Sequence, residues 1–352
     1  MSYSYRGGAE GWTPKNSAAL EQDLEASSAA AASGGGTPGT NKWIDVLSSL
    51  KFLRWVNLIS YTVNVAVTYG VGMIGFGGVF GVELATNADV SSKYQTLVTP
   101  VGWSFAVIWS LIFASQAFWV GRQFLIPAGG DSTGEKAAKA VGYRYVTTVI
   151  CQGAWTVNFG LEAIIIAFLI ILIIWINLLC VAQNLDTLSY SRQDSIPTKM
   201  KNYALDRLPF HLHLGWITAA AVLNTNVLMV FQEMPSSGLF GAAIGSVVFI
   251  CALALIWLVK WSYITMPAVL VWALVGIYVE LGNPQIGIIE AYSERQIAAV
   301  MYSSIGVAAV LLLLIVVQAI RQYRSHSQNQ QDEALHLGKV ERGAPVYYRA
   351  PF

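Results

Sequence analysis

Eight apolar runs, each near the roughly 20 residues needed to cross about 30 Å of hydrocarbon, leave this chain few ways to fold. They cover about 54–79, 101–123, 144–161, 163–184, 208–231, 241–259, 263–281 and 296–320. A backbone in lipid must satisfy its own hydrogen bonds, so runs of this length form helices. The expected architecture is all-α, a polytopic membrane bundle of about eight transmembrane helices. Composition agrees: 12% of the residues are charged and 55% hydrophobic, with a mean hydropathy of +0.52, whereas an average soluble domain is about 25% charged. The third and fourth runs meet at a tight turn around 160–162, and the sixth and seventh at one around 260–262.

Residues 1–50 are rich in Ala, Gly and Ser and cannot bury enough apolar surface to offset the entropy of ordering. A disordered tail is expected there, and a flexible polar one over 323–352. The first hydrophobic helix is expected to act as the insertion signal, because no basic start followed by an apolar core precedes it. Eight spans put both termini on one side. The segments of that side carry Arg54, Arg122, Lys136, Lys139, Arg144, Lys199, Lys201, Arg207, Lys260 and Arg321, against Lys93 and Arg295 opposite. Both termini are therefore expected to be cytosolic. A net charge of +1 gives no reason to expect a nucleic-acid partner; membrane lipid is the expected surroundings. Cys151, Cys180 and Cys251 lie in apolar runs without metal-ligand or redox spacing, and read as packing residues.

The second run holds a stripe of small residues, Gly102, Ala106, Ser110, Ala114, Ala117 and Gly121, which reads as a close-packing face. Its other faces carry Trp103, Trp109, Trp119 and Gln116, an aromatic lining with one amide that needs a partner away from lipid. Further amides at membrane depth are Asn57, Asn64, Gln152, Asn158, Asn177, Asn224 and Asn226. They line a site or simply bridge helices. No acid or base sits at mid-span, which disfavours an ion-coupled pump. Trp155, Asn158 and Glu162 share a helix face leading to the acidic side. His211 and His213 are two residues apart, about 200° around a helix, so they cannot ligate one group together; both read as interfacial. The chain contains no phosphate-cradling loop, nucleophile elbow, HExxH or metal-ligand cluster. No enzyme with familiar machinery is expected, and no cofactor.

Three stretches together resemble one family. TPVGWSFAVIWSLIF from Thr99, QGAWTVNFGLE from Gln152 and RLPFHLHLGWITAAAVLNTNVLMV from Arg207 are similar to the second, third and fifth helices of the tryptophan-rich sensory proteins. These are the relatives of the translocator protein, or peripheral benzodiazepine receptor. The resemblance implies a five-helix bundle over 51–232 and three appended helices over 233–322, as in longer members. It also implies an aromatic pocket that binds a porphyrin or other tetrapyrrole, a sterol-like lipid or another small apolar ligand, in a sensing or transport role. Carried over, the ligand-binding residues are Trp103, Trp109, Gln152, Trp155, Asn158, Trp216 and Asn224, under a loop over 81–100. Phe159 and Gly160 depart from the family's Trp-His pair. A homodimer is the further expectation by family analogy. Two rival readings are a transporter of small apolar solutes and a ligand-free structural subunit of a membrane complex.

Overall fold

The computed structural model describes residues 49–75, 84–125, 133–188 and 196–340. The expected N-terminal tail and the last twelve residues of the chain fall outside them, apart from the first residues of the opening helix. Helix α1 (Leu50–Val65) continues as a π-helical segment (Ala66–Met73). A short α2 (Asn87–Lys93) follows, then α3 (Gly102–Leu125), α4 (Thr133–Val141), α5 (Arg144–Gly160) and α6 (Ile164–Asp186). The chain continues through α7 (Ile196–Asp206), α8 (Leu208–Phe231), α9 (Ser236–Lys260), α10 (Thr265–Leu281), α11 (Ile286–Ala291) and α12 (Glu294–Val340).

Five of these helices, α3, α6, α8, α9 and the first part of α12 (Glu294–Ser325), are long and apolar enough to cross a membrane. Helix α10 is apolar but shorter, and α1 and α5 lie where the sequence leads two further spans to be expected. This is a multi-pass membrane bundle, and no strand occurs among the described residues.

The first five spans close into a ring. Helix α1 packs on α3, α3 on α8, α8 on α6, α6 on α5, and α5 back on α1. Helices facing each other across the ring make no comparable backbone approach, so side chains fill the interior. Local sequence sets the corners. Pro209 opens the first turn of α8, where its missing N–H costs nothing. Thr86 and Asp89 form a reciprocal cap on α2, with Asp89 N–H donating to Thr86 Oγ1 at 3.1 Å and Thr86 N–H to the Asp89 carboxylate at 3.0 Å, which satisfies two otherwise orphaned donors. The two expected tight turns form as well, each through a left-handed residue: Glu162 at φ 58° and Ser262 at φ 57°.

The remaining three spans lie beside the ring. Helix α10 packs on α8 and α12, and α9 packs on α12. Close approach depends on two glycines: a Cβ at Gly215 of α8 would fall 2.9 Å from Val269 Cβ, and one at Gly276 of α10 would fall 2.9 Å from Pro100 Cβ. Val101 N–H donates to Gly276 O at 3.0 Å beside the second contact.

Three expectations need correction. The small-residue stripe of α3 is not the packing face: Gly102, Ala106, Ser110, Ala114 and Gly121 are exposed, while Ser104, Ile108, Ile112, Gln116, Trp119 and Gln123 are buried. Large side chains and amides reach the ring interior, and the small residues leave the outer surface smooth. The polar C-terminal stretch continues α12 as helix to Val340 instead of starting a flexible tail near residue 323; it holds no proline until Pro345, and Gln, Glu, Ala, Leu and Lys all favour helix. His211 and His213 are buried, at 1% and 0% exposure, and not interfacial.

Candidate functional site

Two hydrogen bonds cross the ring between helices that are not neighbours. Trp155 Nε1–H of α5 donates to Asn224 Oδ1 of α8 at 3.1 Å. Tyr145 O–H, also of α5, donates to Gln116 Oε1 of α3 at 3.2 Å. The Gln116 amide meets His213 Nδ1 of α8 at 3.2 Å, so one glutamine ties together three helices. A buried polar group without a partner costs about 1–3 kcal/mol, and these pairs explain why amides are tolerated at membrane depth.

Aromatic rings occupy the space between. Trp109 stacks on Phe113 with centroids 5.4 Å apart and meets the His213 ring edge-on at 5.6 Å. Tyr61 and Tyr69 of the first span reach the same phenylalanine, at 6.4 and 5.5 Å. Trp155 stacks on Phe159 at 4.9 Å. Residues 213, 217, 220 and 224 recur on one face of α8, so His213 and Asn224 mark two levels of one wall, about 16 Å apart along the axis.

A polar chain lies along α1. Gln152 Nε2–H donates to Thr68 Oγ1 at 3.0 Å, and Thr68 in turn to Asn64 Oδ1 at 3.4 Å. Thr68 belongs to the π-helical segment, a winding that recurs at functional sites. Gln152 Oε1, Asn64 Nδ2 and His213 Nε2 are buried without a hydrogen-bond partner.

The segment from Leu84 to Pro100 covers one end of the ring. Ala85 N–H donates to Gly160 O at 3.1 Å, and a Cβ at Gly160 would lie 2.7 Å from Ala85 O. Glu162 accepts from Lys93 and from Tyr94 O–H, the latter at 2.7 Å. The Lys93 ammonium and the Tyr94 hydroxyl hold the Glu162 carboxyl below its ordinary pKa. Tyr94 also meets Phe231 at the end of α8, at 5.9 Å. A cavity of about 10 Å³ lined by Gln95, Thr96, Thr99, Glu280, Gln285 and Ile288, room for about one water, lies where this segment joins α10 and α11.

Of the residues singled out from the sequence, the structure brings Trp155 and Asn224 together, places Trp109 beside His213 of the adjacent helix α8, and sets Gln152 on the polar chain. The others sit elsewhere. Trp103 is half-exposed and meets Trp272 of α10 at 5.3 Å. Trp216 is buried against Phe105 at 5.0 Å. Asn158 donates to its own helix at Ala154 O, 2.8 Å away. Sequence reasoning missed the inward role of His213, Tyr145 and Thr68. The helical spacing of His213 to Asn224 was the available signal for the first; the other two depend on contacts between distant segments. Among the described residues no group of three or more His, Cys, Asp or Glu is placed to hold a metal ion.

Comparison with known proteins gives one match: a family model described as TSPO-like protein covers residues 54–334. No curated protein and no solved structure matches the chain.

Proposed function

We propose, because the chain belongs to the TSPO-like protein family, that its five-helix ring binds a small apolar ligand of the tetrapyrrole or sterol-like class, in a sensing or transport role. The observation that carries this reading is the Trp155–Asn224 bond at 3.1 Å between two helices that are not neighbours in the ring. An indole and an amide held across an aromatic interior can exchange their mutual bond for bonds to a guest, while Trp109, Phe113 and Tyr69 offer flat apolar surface to its body. No catalytic role is assigned, and both termini are taken to be cytosolic. The exposed small-residue face of α3 would serve a homodimer.

The test is quenching of tryptophan fluorescence by protoporphyrin in the purified protein, compared with Trp155→Phe and Trp109→Phe. Saturable quenching with affinity at least fivefold weaker in both variants is the expected result. Unsaturable quenching that ignores the substitutions would reject it. A second reading, a ligand-free structural subunit, is favoured by the way the rings already stack on each other, Trp155 on Phe159 and Trp109 on Phe113. A stoichiometric partner retained through purification, with no saturable ligand, would select it. A transporter of apolar solutes, which the π-helical segment with Gly70 and Gly72 favours, would instead move solute across liposomes in a manner lost in Trp155→Phe.

A further inference from the structure

The unpartnered polar atoms of the ring helices, among them Gln152 Oε1, Asn64 Nδ2 and His213 Nε2, differ in what they can recognise. Gln152 Oε1 and Asn64 Nδ2 lie along the α1 side, on side chains whose other amide atoms are already engaged. His213 Nε2 belongs to an imidazole that meets the Trp109 ring edge-on, on a side chain with no exposure at all, and its chemistry is fixed by its neighbours. Tyr145 O–H donates to Gln116 Oε1, which commits that oxygen as an acceptor and turns the amide nitrogen toward His213 Nδ1. An amide nitrogen only donates, so Nδ1 accepts. The neutral imidazole then carries its proton on Nε2. The relay from Tyr145 through Gln116 thus presents a single N–H donor, buried and unpaired, beside the Trp109 ring whose centroid is 5.6 Å away.

His211, two residues earlier, also holds a buried Nε2 without a partner, but it faces other neighbours. Its Nδ1 meets Tyr203 at 3.1 Å and its ring lies 5.0 Å from Tyr263, on the opposite side of α8.

We propose that His213 Nε2–H is a specificity-determining donor, and that the guest of the ring is a flat apolar molecule bearing a hydrogen-bond acceptor, a ketone, ester or carboxylate oxygen, at the edge that reaches His213. This rests on the ring-interior binding reading above and adds to it the polarity of the ligand. A site whose buried donor stays unpaired with the wrong guest discriminates strongly against that guest.

The experiment compares two probes of one shape, 9-fluorenone and fluorene, which differ by a carbonyl in place of a methylene. Binding is measured to the full chain in lipid nanodiscs, with empty nanodiscs subtracted, and the quantity read is the fluorenone-to-fluorene affinity ratio within each protein, so that partition into lipid cancels between variants. His213→Asn keeps an acceptor for Gln116 and lacks the Nε2 donor; His213→Gln carries an amide N–H near the Nε2 position. The ratio falls about tenfold in His213→Asn, fluorenone losing more affinity than fluorene, and recovers at least in part in His213→Gln. Gln116→Leu, which no longer fixes the tautomer, lowers the ratio to a smaller extent and serves as the second route to the same result should His213→Asn not fold. An equal ratio in wild type and His213→Asn overturns the proposal and leaves the binding reading standing, with the Trp109 face satisfying the N–H. Failure of both probes to bind wild type above empty nanodiscs overturns both.

Discussion

The ring and the three helices beside it handle buried polarity in opposite ways. In the ring, polar side chains reach across: Trp155 to Asn224, Tyr145 to Gln116, Gln152 to Thr68, Asn57 to Gln123 at 2.9 Å. In the α9–α10–α12 group the contacts are apolar, with Val269, Leu270, Ala273, Leu274 and Ile277 of α10 buried and Val300, Ala308 and Leu311 buried on α12. The buried Ser304 of α12 donates to its own helix, at Val300 O, 2.8 Å away. Hydrogen bonds between membrane helices contribute about 1 kcal/mol or less each, so the ring does not need its amides for cohesion that methyl groups could supply. Their cost is justified by a fixed interior geometry. Within the side group packing is by shape, and its polar contacts go outward to the ring, from Asn226 to Ser246 Oγ at 2.8 Å and from Trp272 to Ser104 O at 3.2 Å.

That contrast can be broken most directly at its seam. Gly215→Leu places a side chain where a Cβ already lies 2.9 Å from Val269 Cβ and 3.2 Å from the Met266 backbone. The expected loss is about 3 kcal/mol, read as a lowered midpoint in denaturant titration of the detergent-solubilised protein. A ring that still bound ligand after this change would separate the two regions functionally; a ring that lost binding would make α10 part of the site.

A smaller effect sharpens the contrast from inside the ring. Asn224→Leu leaves the Trp155 N–H without its acceptor and is expected to cost about 1–2 kcal/mol, whereas Ser304→Ala in α12 falls within about 0.5 kcal/mol of wild type. Equal costs at the two sites would erase the distinction between a polarity that spans helices and one that satisfies itself.

The smallest effect is local and pH-dependent. The Glu162 carboxyl is held below its usual pKa, first by Lys93 and then by Tyr94. A depressed carboxyl contributes stability that is present above its unfolded value and lost as pH falls through its folded one. Amide exchange over 84–94, corrected for intrinsic rates, should therefore rise as pH drops below about 4, with α8 and α10 unaffected. In Glu162→Gln the segment should exchange faster at neutral pH and show no such dependence. A uniform response along the chain would mean that the segment is not an independent cover.

The spans were legible because a long uncharged run in lipid has one outcome. The turns at 160–162 and 260–262 were legible because too few residues separate the runs for anything else. Four short helices, α2, α4, α7 and α11, were not seen, since 6 to 11 residues of mixed polarity carry no hydropathic signal. The direction of the α3 stripe was read backwards: spacing identifies a face but not what meets it. At the candidate site, likeness to a family singled out Trp155, Asn224 and Trp109, the last also through its place among the aromatics of α3. Trp103 sits apart from the others because α10 takes it up through Trp272, whose Nε1–H donates to Ser104 O, 168 residues earlier, at 3.2 Å. His213 was read as interfacial once its spacing from His211 ruled out a shared ligand, when its partner was an amide 97 residues away.

Helix α12 runs for 47 residues, about 70 Å at 1.5 Å per residue, more than twice the thickness of a hydrocarbon layer. Its apolar part ends near Ser325, so the last fifteen or so residues stand about 20 Å clear of the span that anchors them. A helix of this kind works as a mast. A label on its exposed part, at Gln328 for example, is therefore expected to sit farther from the lipid surface than one at Arg321.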